Sequence, residues 1–174
     1  MESVDDKSAV VKISDAADSD FSDIIAIAFA TWPDTYGKIL SSAQLIYMLD
    51  LFYNIDALQS NVANGQQFLV AKRGNQTVGF CAYENNYSDR NCTHIHKLYV
   101  LPQLQGQGVG KKFVAVIEFR ARLQGSEYLS LNVNRSNDAK SFYIKMGFSV
   151  LEQVDIELGN GFLMEDFIMQ KKLM

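Results

Sequence analysis

The stretch 98-LYVLPQLQGQGVGKK-112 decides how this chain is read. A β-prone run, Leu98–Val100, meets Pro102, and then Gly106, Gly108 and Gly110 alternate where a helix-like run must begin. Glycine weakens a helix interior by roughly 0.5–1 kcal/mol relative to alanine, so this spacing needs a compensating reason. A bare backbone supplies one. The first N–H groups of a helix have no intrahelical acceptor and lie at the positive end of its dipole, and glycine lets an anion approach them closely. The stretch therefore reads as strand, anion-binding turn and helix start.

Two common phosphate loops do not fit. A P-loop needs G-x-x-x-x-G-K-[ST], and Gly110 is followed by Lys111 and Lys112 with no hydroxyl for magnesium. A dinucleotide fingerprint needs G-x-G-x-x-G, and the glycine spacing here is wrong for it. The pattern present is Q-x-x-G-x-G over Gln105, Gly106, Gln107, Gly108, Val109 and Gly110. Downstream, 131-LNVNRSNDAKSFYIKMGF-148 places Asn137, Ala139, Phe142, Tyr143, Gly147 and Phe148 in a second cluster.

Taken together, these two stretches resemble the GNAT superfamily of acetyl-CoA-dependent N-acetyltransferases, firmly from about residue 68 to 150. The resemblance implies an α/β (α+β) fold with a mixed, mostly antiparallel, splayed sheet flanked by helices. It implies acetyl-CoA as cosubstrate and no metal. It places the pantetheine arm against the backbone of Leu98, Tyr99 and Val100, and the pyrophosphate on Gln105 through Lys111. Asn137 and Lys140 would approach the pantetheine or nucleotide end. Tyr143 would be the proton donor to the departing CoA sulfur. On periodicity alone Tyr143 belongs to an apolar stripe with Ala139, Phe142 and Met146, so the acid role comes from the resemblance.

Bulk properties agree with a globular enzyme. The chain has 174 residues, 48% hydrophobic and 21% charged, and is expected to form a single domain spanning 1–174, with residues 1–8 a loose polar tail. A net charge of −4 argues against a nucleic-acid partner. The acidic N-terminus shows no signal peptide, and the apolar run 24-IIAIAFA-30 is too short to cross a bilayer, so a cytoplasmic protein without membrane contact is expected. Cys81 and Cys92 are neither a disulfide framework nor a metal signature, and read as reduced thiols.

Along the chain the expected order is strand, two helices, three strands, helix, strand, helix and two strands. The first strand falls on Val10–Ser14. The two helices fall on Phe21–Thr31, stopped by Pro33, and on Ser42–Tyr53. A hairpin turns at 73-RGNQ-76, a strand covers Thr93–Leu101, and a helix runs from Gly108 to Gln124 with Gly125 just beyond it. Leu129, Leu131 and Val133 alternate along the next strand, Asn137 caps a short helix, and a last hairpin turns at 158-LGNG-161.

Acyl transfer to an amine also needs a base. His94 and His96 are the only histidines, and strand alternation puts both on one face, together with Leu98 and Val100. Their spacing is similar to that of serotonin N-acetyltransferase, where paired histidines help deprotonate the amine through water. Imidazole titrates near neutrality and suits that task. His96 is preferred, with His94 beside it and Glu84 on the neighbouring strand as the alternative base; each also reads as an ordinary structural residue.

The acceptor is less legible. Trp32, Tyr36, Tyr47 and Tyr53 read either as pocket walls or as the core of two helices. The surrounding pattern resembles PaiA-like polyamine acetyltransferases, and Asp155, Glu157, Glu165 and Asp166 would suit a cationic amine, whether a small molecule or a peptide. The edge strands from Asp155 onward invite pairing into a homodimer. A non-catalytic acetyl-CoA-binding sensor or interaction module on the same fold is the rival reading.

Overall fold

The computed structural model describes residues 9–174; the expected tail over residues 1–8 lies outside them. One sheet of seven strands carries the architecture, in the order β1-β2-β3-β4-β5-β7-β6. The strands are β1 (Val11–Asp15), β2 (Gln67–Arg73), β3 (Gln76–Glu84), β4 (Cys92–Val100), β5 (Tyr128–Asn134), β6 (Ser149–Gly159) and β7 (Phe162–Lys172). Every neighbouring pair is antiparallel except β4–β5.

Helices α1 (Phe21–Tyr36), α2 (Ser42–Phe52) and α3 (Ile55–Ala63) pack over β2, β3 and β4 on one face, around Trp32, Tyr53, Phe68, Phe80 and Tyr99. On the other face α4 (Val109–Leu123) and α5 (Ala139–Lys145) close a second core around Phe113, Ile117, Leu129, Leu131 and Tyr143. α4 ends as its sequence suggests: Ser126 N–H donates to Ala121 O at 2.9 Å and Gly125 N–H to Arg122 O at 3.0 Å, which satisfies its last carbonyls.

Three local expectations are corrected. Pro33 does not end α1, which continues to Tyr36. Proline removes only the bond to the Phe29 carbonyl, on a turn where Phe29 is 44% exposed, while Trp32 and Tyr36 are buried and hold the last turn down. α3 was not expected at all. Its apolar stripe is thin, with Leu58 its one buried residue, but Asn54 Oδ1 accepts the Ala57 N–H at 2.8 Å and caps its start. Finally, Asn137 precedes α5 by two residues; its Oδ1 takes the Ala139 N–H at 2.9 Å, while Asp138 holds the N-cap position without using its side chain.

The feature that positions the site lies between β4 and β5. Their parallel pairing runs from Cys92↔Tyr128 to Ile95↔Leu131 and stops there. On its other side β4 pairs Lys97 with Ala82 and Ile95 with Tyr83, so His96 is an extra residue, a β-bulge. Beyond the bulge β4 leaves β5, which continues alongside β7. The sheet therefore opens into a split whose apex is His96.

Candidate active site

At one end of the split stands the glycine turn. Gly106 (φ +78°) and Gly108 (φ +84°) are left-handed, where a side chain would strain the backbone even though nothing lies within 4 Å of an added Cβ. The space above them is open for a ligand. Gly110 is bare for another reason: a Cβ there would come within 3.3 Å of Phe142 Cζ. The first α4-side amide turned back on the chain is Lys112 N–H, bonded to Gly108 O at 3.1 Å, which leaves the amides of Val109, Gly110 and Lys111 facing outward. Gln105 spends its side chain on structure, donating from Nε2 to Val100 O at 3.1 Å. Gln107 likewise donates to Gln103 O at 3.1 Å, and Lys111 is exposed.

The free edge of β4 forms one wall. Leu101 N–H donates to Val78 O at 2.9 Å, so by antiparallel alternation the Tyr99 backbone also faces β3, while Leu98 and Val100 turn theirs into the split, where the Val100 carbonyl already accepts from Gln105. Tyr99 instead contributes its side chain, whose hydroxyl lies 2.9 Å from that of Tyr36 on the opposite face from α4.

Tyr143 is 8% exposed and packs edge-on against Phe142 and Phe148. Burial first, then the neighbouring Tyr36 and Cys81, push its phenol above the ordinary range. Tyr36 and Tyr99 are raised too, chiefly by burial. Asp166 opposes ionisation of Tyr36 and the Asn137 side chain eases it. Lys140 does not point at this cluster: its ammonium sits 4.5 Å from the Phe167 ring centroid.

The histidine pair is compact but not where alternation alone puts it. Because His96 is the bulge, Ile95, Leu98 and Val100 all lie on the α4 side, and His94 and His96 face the other way. Their rings meet at 4.7 Å, and Tyr87 stacks on His94 at 4.1 Å. His96 Nε2 lies 2.8 Å from Glu84 Oε2, and His94 Nδ1 lies 2.7 Å from Ser130 Oγ. Burial, reinforced by His96, lowers His94 to about 3. Burial also lowers His96, with the Glu84 hydrogen bond pulling the other way. Lys97, next along the strand, is lowered to about 8 by burial and donates to Asn61 and Gln66. Tyr87 and Ser130 carried no signal in the sequence: one sits in a polar loop, the other at a position that alternation assigns to solvent.

The aromatic-rich segment divides. Trp32 and Tyr53 are core. Tyr36 is buried with them and meets the Tyr99 hydroxyl at 2.9 Å, and Tyr47 ties α2 to the last hairpin by donating to Leu158 O at 2.8 Å. The four acids divide as well. Arg135 pairs with both Asp155 and Glu165, Glu157 is exposed, and only Asp166 is buried. Among the described residues no group of three His, Cys, Asp or Glu is placed to hold a metal ion, and no helix is long and apolar enough to cross a membrane.

A mostly antiparallel sheet split at a bulge, with outward amides at the start of the following helix, is the fold of a GNAT-type acetyltransferase. A family model described as an acetyltransferase (GNAT) domain matches residues 42–170, and the chain belongs to this family. It is an N-acetyltransferase. An uncharacterized N-acetyltransferase of Lactobacillus delbrueckii subsp. lactis is 28% identical over 170 residues, covering 94% of this chain and 98% of that protein. The ribosomal protein bS18-alanine N-acetyltransferase of Haemophilus influenzae is 29% identical over 106 residues, 60% of this chain and 67% of that one. Among solved structures, the PaiA N-acetyltransferase of Thermoplasma acidophilum, in complex with coenzyme A, matches with a TM-score of 0.79 and 26% identity over 94% of this chain and 99% of that chain. A GCN5-related N-acetyltransferase of Rhodopseudomonas palustris has a TM-score of 0.81 at 21% identity, a likeness of fold.

Proposed function

We propose that this chain moves the acetyl group of acetyl-CoA directly to a primary amine, either a small-molecule amine such as a polyamine or a peptide amine. The observation that carries the reading is the split itself: it begins at His96, runs along the free edge of Leu98 and Val100, and ends at the outward amides of α4. These residues fit the cosubstrate, since the left-handed Gly106 and Gly108 leave open space above the amides. Val109, Gly110 and Lys111 would hold the pyrophosphate by backbone N–H groups, and Leu98 and Val100 the pantetheine arm. Asn137 would reach the arm near Tyr36. When bound, acetyl-CoA supplies an activated acetyl thioester.

Tyr143 keeps its proton across the neutral range, because burial raises it. Complete transfer to a thiolate, whose acid titrates near about 8.5, runs uphill for such a phenol. Its contribution is therefore a hydrogen bond that strengthens as charge grows on the departing sulfur. His96 is neutral at pH 7 because burial lowers it. Donating Nε2–H to Glu84 leaves Nδ1 as the free acceptor for a proton from the amine, directly or through water. His94, lowered to about 3, does not hold a proton near neutrality and instead packs the pair.

The test is an acceptor screen with acetyl-CoA, spanning polyamines, amino acids and peptide N-termini, read by free thiol release. Turnover on a primary amine that drops in Tyr143→Phe is the expected result. Cofactor binding without turnover on any amine would sink the proposal.

A further inference from the structure

Asp166 stands out among the buried charges. It is 2% exposed, its Oδ1 has no hydrogen-bond partner, and its Oδ2 has one long contact, 3.4 Å from Asn132 Nδ2. An ionised carboxylate has about four acceptor positions. Asp20, the other buried acid, is served by Lys72 Nζ and by the Ala17 N–H, each at 2.8 Å. Asp166 has no cation within ion-pair distance among the described residues, and the nearby Arg135 is engaged by Asp155 and Glu165. A buried acid so poorly served costs the fold stability, which gives it the character of a site awaiting a donor.

Its place in the sheet says which donor. Register pairs Asn134 with Asp166, Asn132 with Ile168 and Ser130 with Gln170, so these six residues share one face. That face floors a cavity of about 550 Å³ lined by His94, Ser130, Asn132, Val154, Ile168 and Gln170. Val154 lies directly across from Asp166 and Asn132 bonds it, so Asp166 stands on the cavity's face, beneath two of its lining residues. It is the face of the histidine pair, opposite α4 and its glycine turn.

We infer that Asp166 holds the ammonium group of the acceptor at the Asn132–Val154 end of this cavity, oriented by Asn132. An ammonium brings three donors and a positive charge, the two things this carboxyl lacks. The assignment rests on the N-acetyltransferase reading above.

The experiment compares wild type, Asp166→Asn and Asp166→Glu at pH 7.5 on 1,4-diaminobutane, spermidine and a peptide with a free N-terminus. Amine KM, CoA affinity by calorimetry and melting temperature are read for each. Asp166→Asn is expected to raise amine KM at least tenfold, to leave CoA affinity within twofold, and to melt no earlier than wild type. Asp166→Glu, which keeps the charge, is expected to recover much of the lost affinity. An unchanged amine KM overturns the inference alone, since the wild type is then still an active acetyltransferase. Lost CoA affinity would give Asp166 to the cofactor instead, and an earlier melt without a KM change would make it structural. If wild type acetylates none of the three amines, the functional reading falls and this inference with it.

Discussion

His96 Nε2 meets Glu84 Oε2 at 2.8 Å only because β4 carries one residue more than β3 at that point. Without the bulge, alternation would send His96 to the α4 core with Leu98 and Val100. Through this bond Glu84 favours the charged imidazole. In Glu84→Gln that support is gone, and the His96 pKa should fall further. The acidic limb of the pH profile of kcat/KM should therefore move to lower pH. A limb that stays put, or moves up, would separate His96 from proton removal.

Tyr143→Phe should lower kcat by about 10²-fold or more, the range of a lost hydrogen-bond donor to developing negative charge. CoA affinity should stay within about twofold, because packing against Phe142 and Phe148 is kept. Single-turnover kinetics with calorimetry separate the two quantities. An unchanged kcat would remove the phenol from the chemistry.

His94 makes the fold sensitive to acid. Its pKa, about 6.5 when unfolded, is lowered to about 3 in the folded chain by burial. Below pH 6.5 the unfolded chain takes up a proton that the folded chain refuses, so stability falls as pH drops towards 3. From pH 7 to pH 5 this site should remove roughly 2 kcal/mol. His94→Phe is expected to lose the Ser130 bond and also to flatten the dependence. Urea unfolding at the two pH values measures it, and an equal pH dependence in wild type and variant would refute the account.

Two glycines of the turn should fail differently on mutation. Gly108→Ala has room for its methyl but forces alanine to a φ of +84°, costing about 1–2 kcal/mol and disturbing the amides. Gly110→Ala has ordinary backbone but places its methyl against Phe142 at 3.3 Å. The first should chiefly weaken CoA binding. The second should also reduce kcat, because Phe142 adjoins Tyr143. Paired Kd and kcat measurements distinguish them.

Much of this was legible in advance because it is written locally. The alternating glycines, the proline before them and the Asn137–Phe148 cluster each sit in a few consecutive residues, and they led to the family and the split sheet. The rest depends on counting one strand against another. The His96 bulge exists only once β3 and β4 are paired, and it overturned the expected side of the histidines. Asp166 separates from Asp155 and Glu165 only once the register of β5, β6 and β7 assigns faces. α3 hid because one buried leucine makes too faint a stripe, and Pro33 misled because the missing bond falls on an exposed turn.

The Gly110–Phe142 contact has a mechanical meaning. It joins the start of α4 to the middle of α5, and a carbon added at Gly110 would also lie 3.7 Å from Leu98 Cδ2. Three separate segments thus abut at a point where the missing carbon is a single hydrogen. A hydrogen-bonded joint would flex; an abutment of this kind resists compression and sets a spacing. On the proposed reading, the chain carries its own ruler between the amides that would take a long ligand's charged end and the phenol that would meet its reactive end.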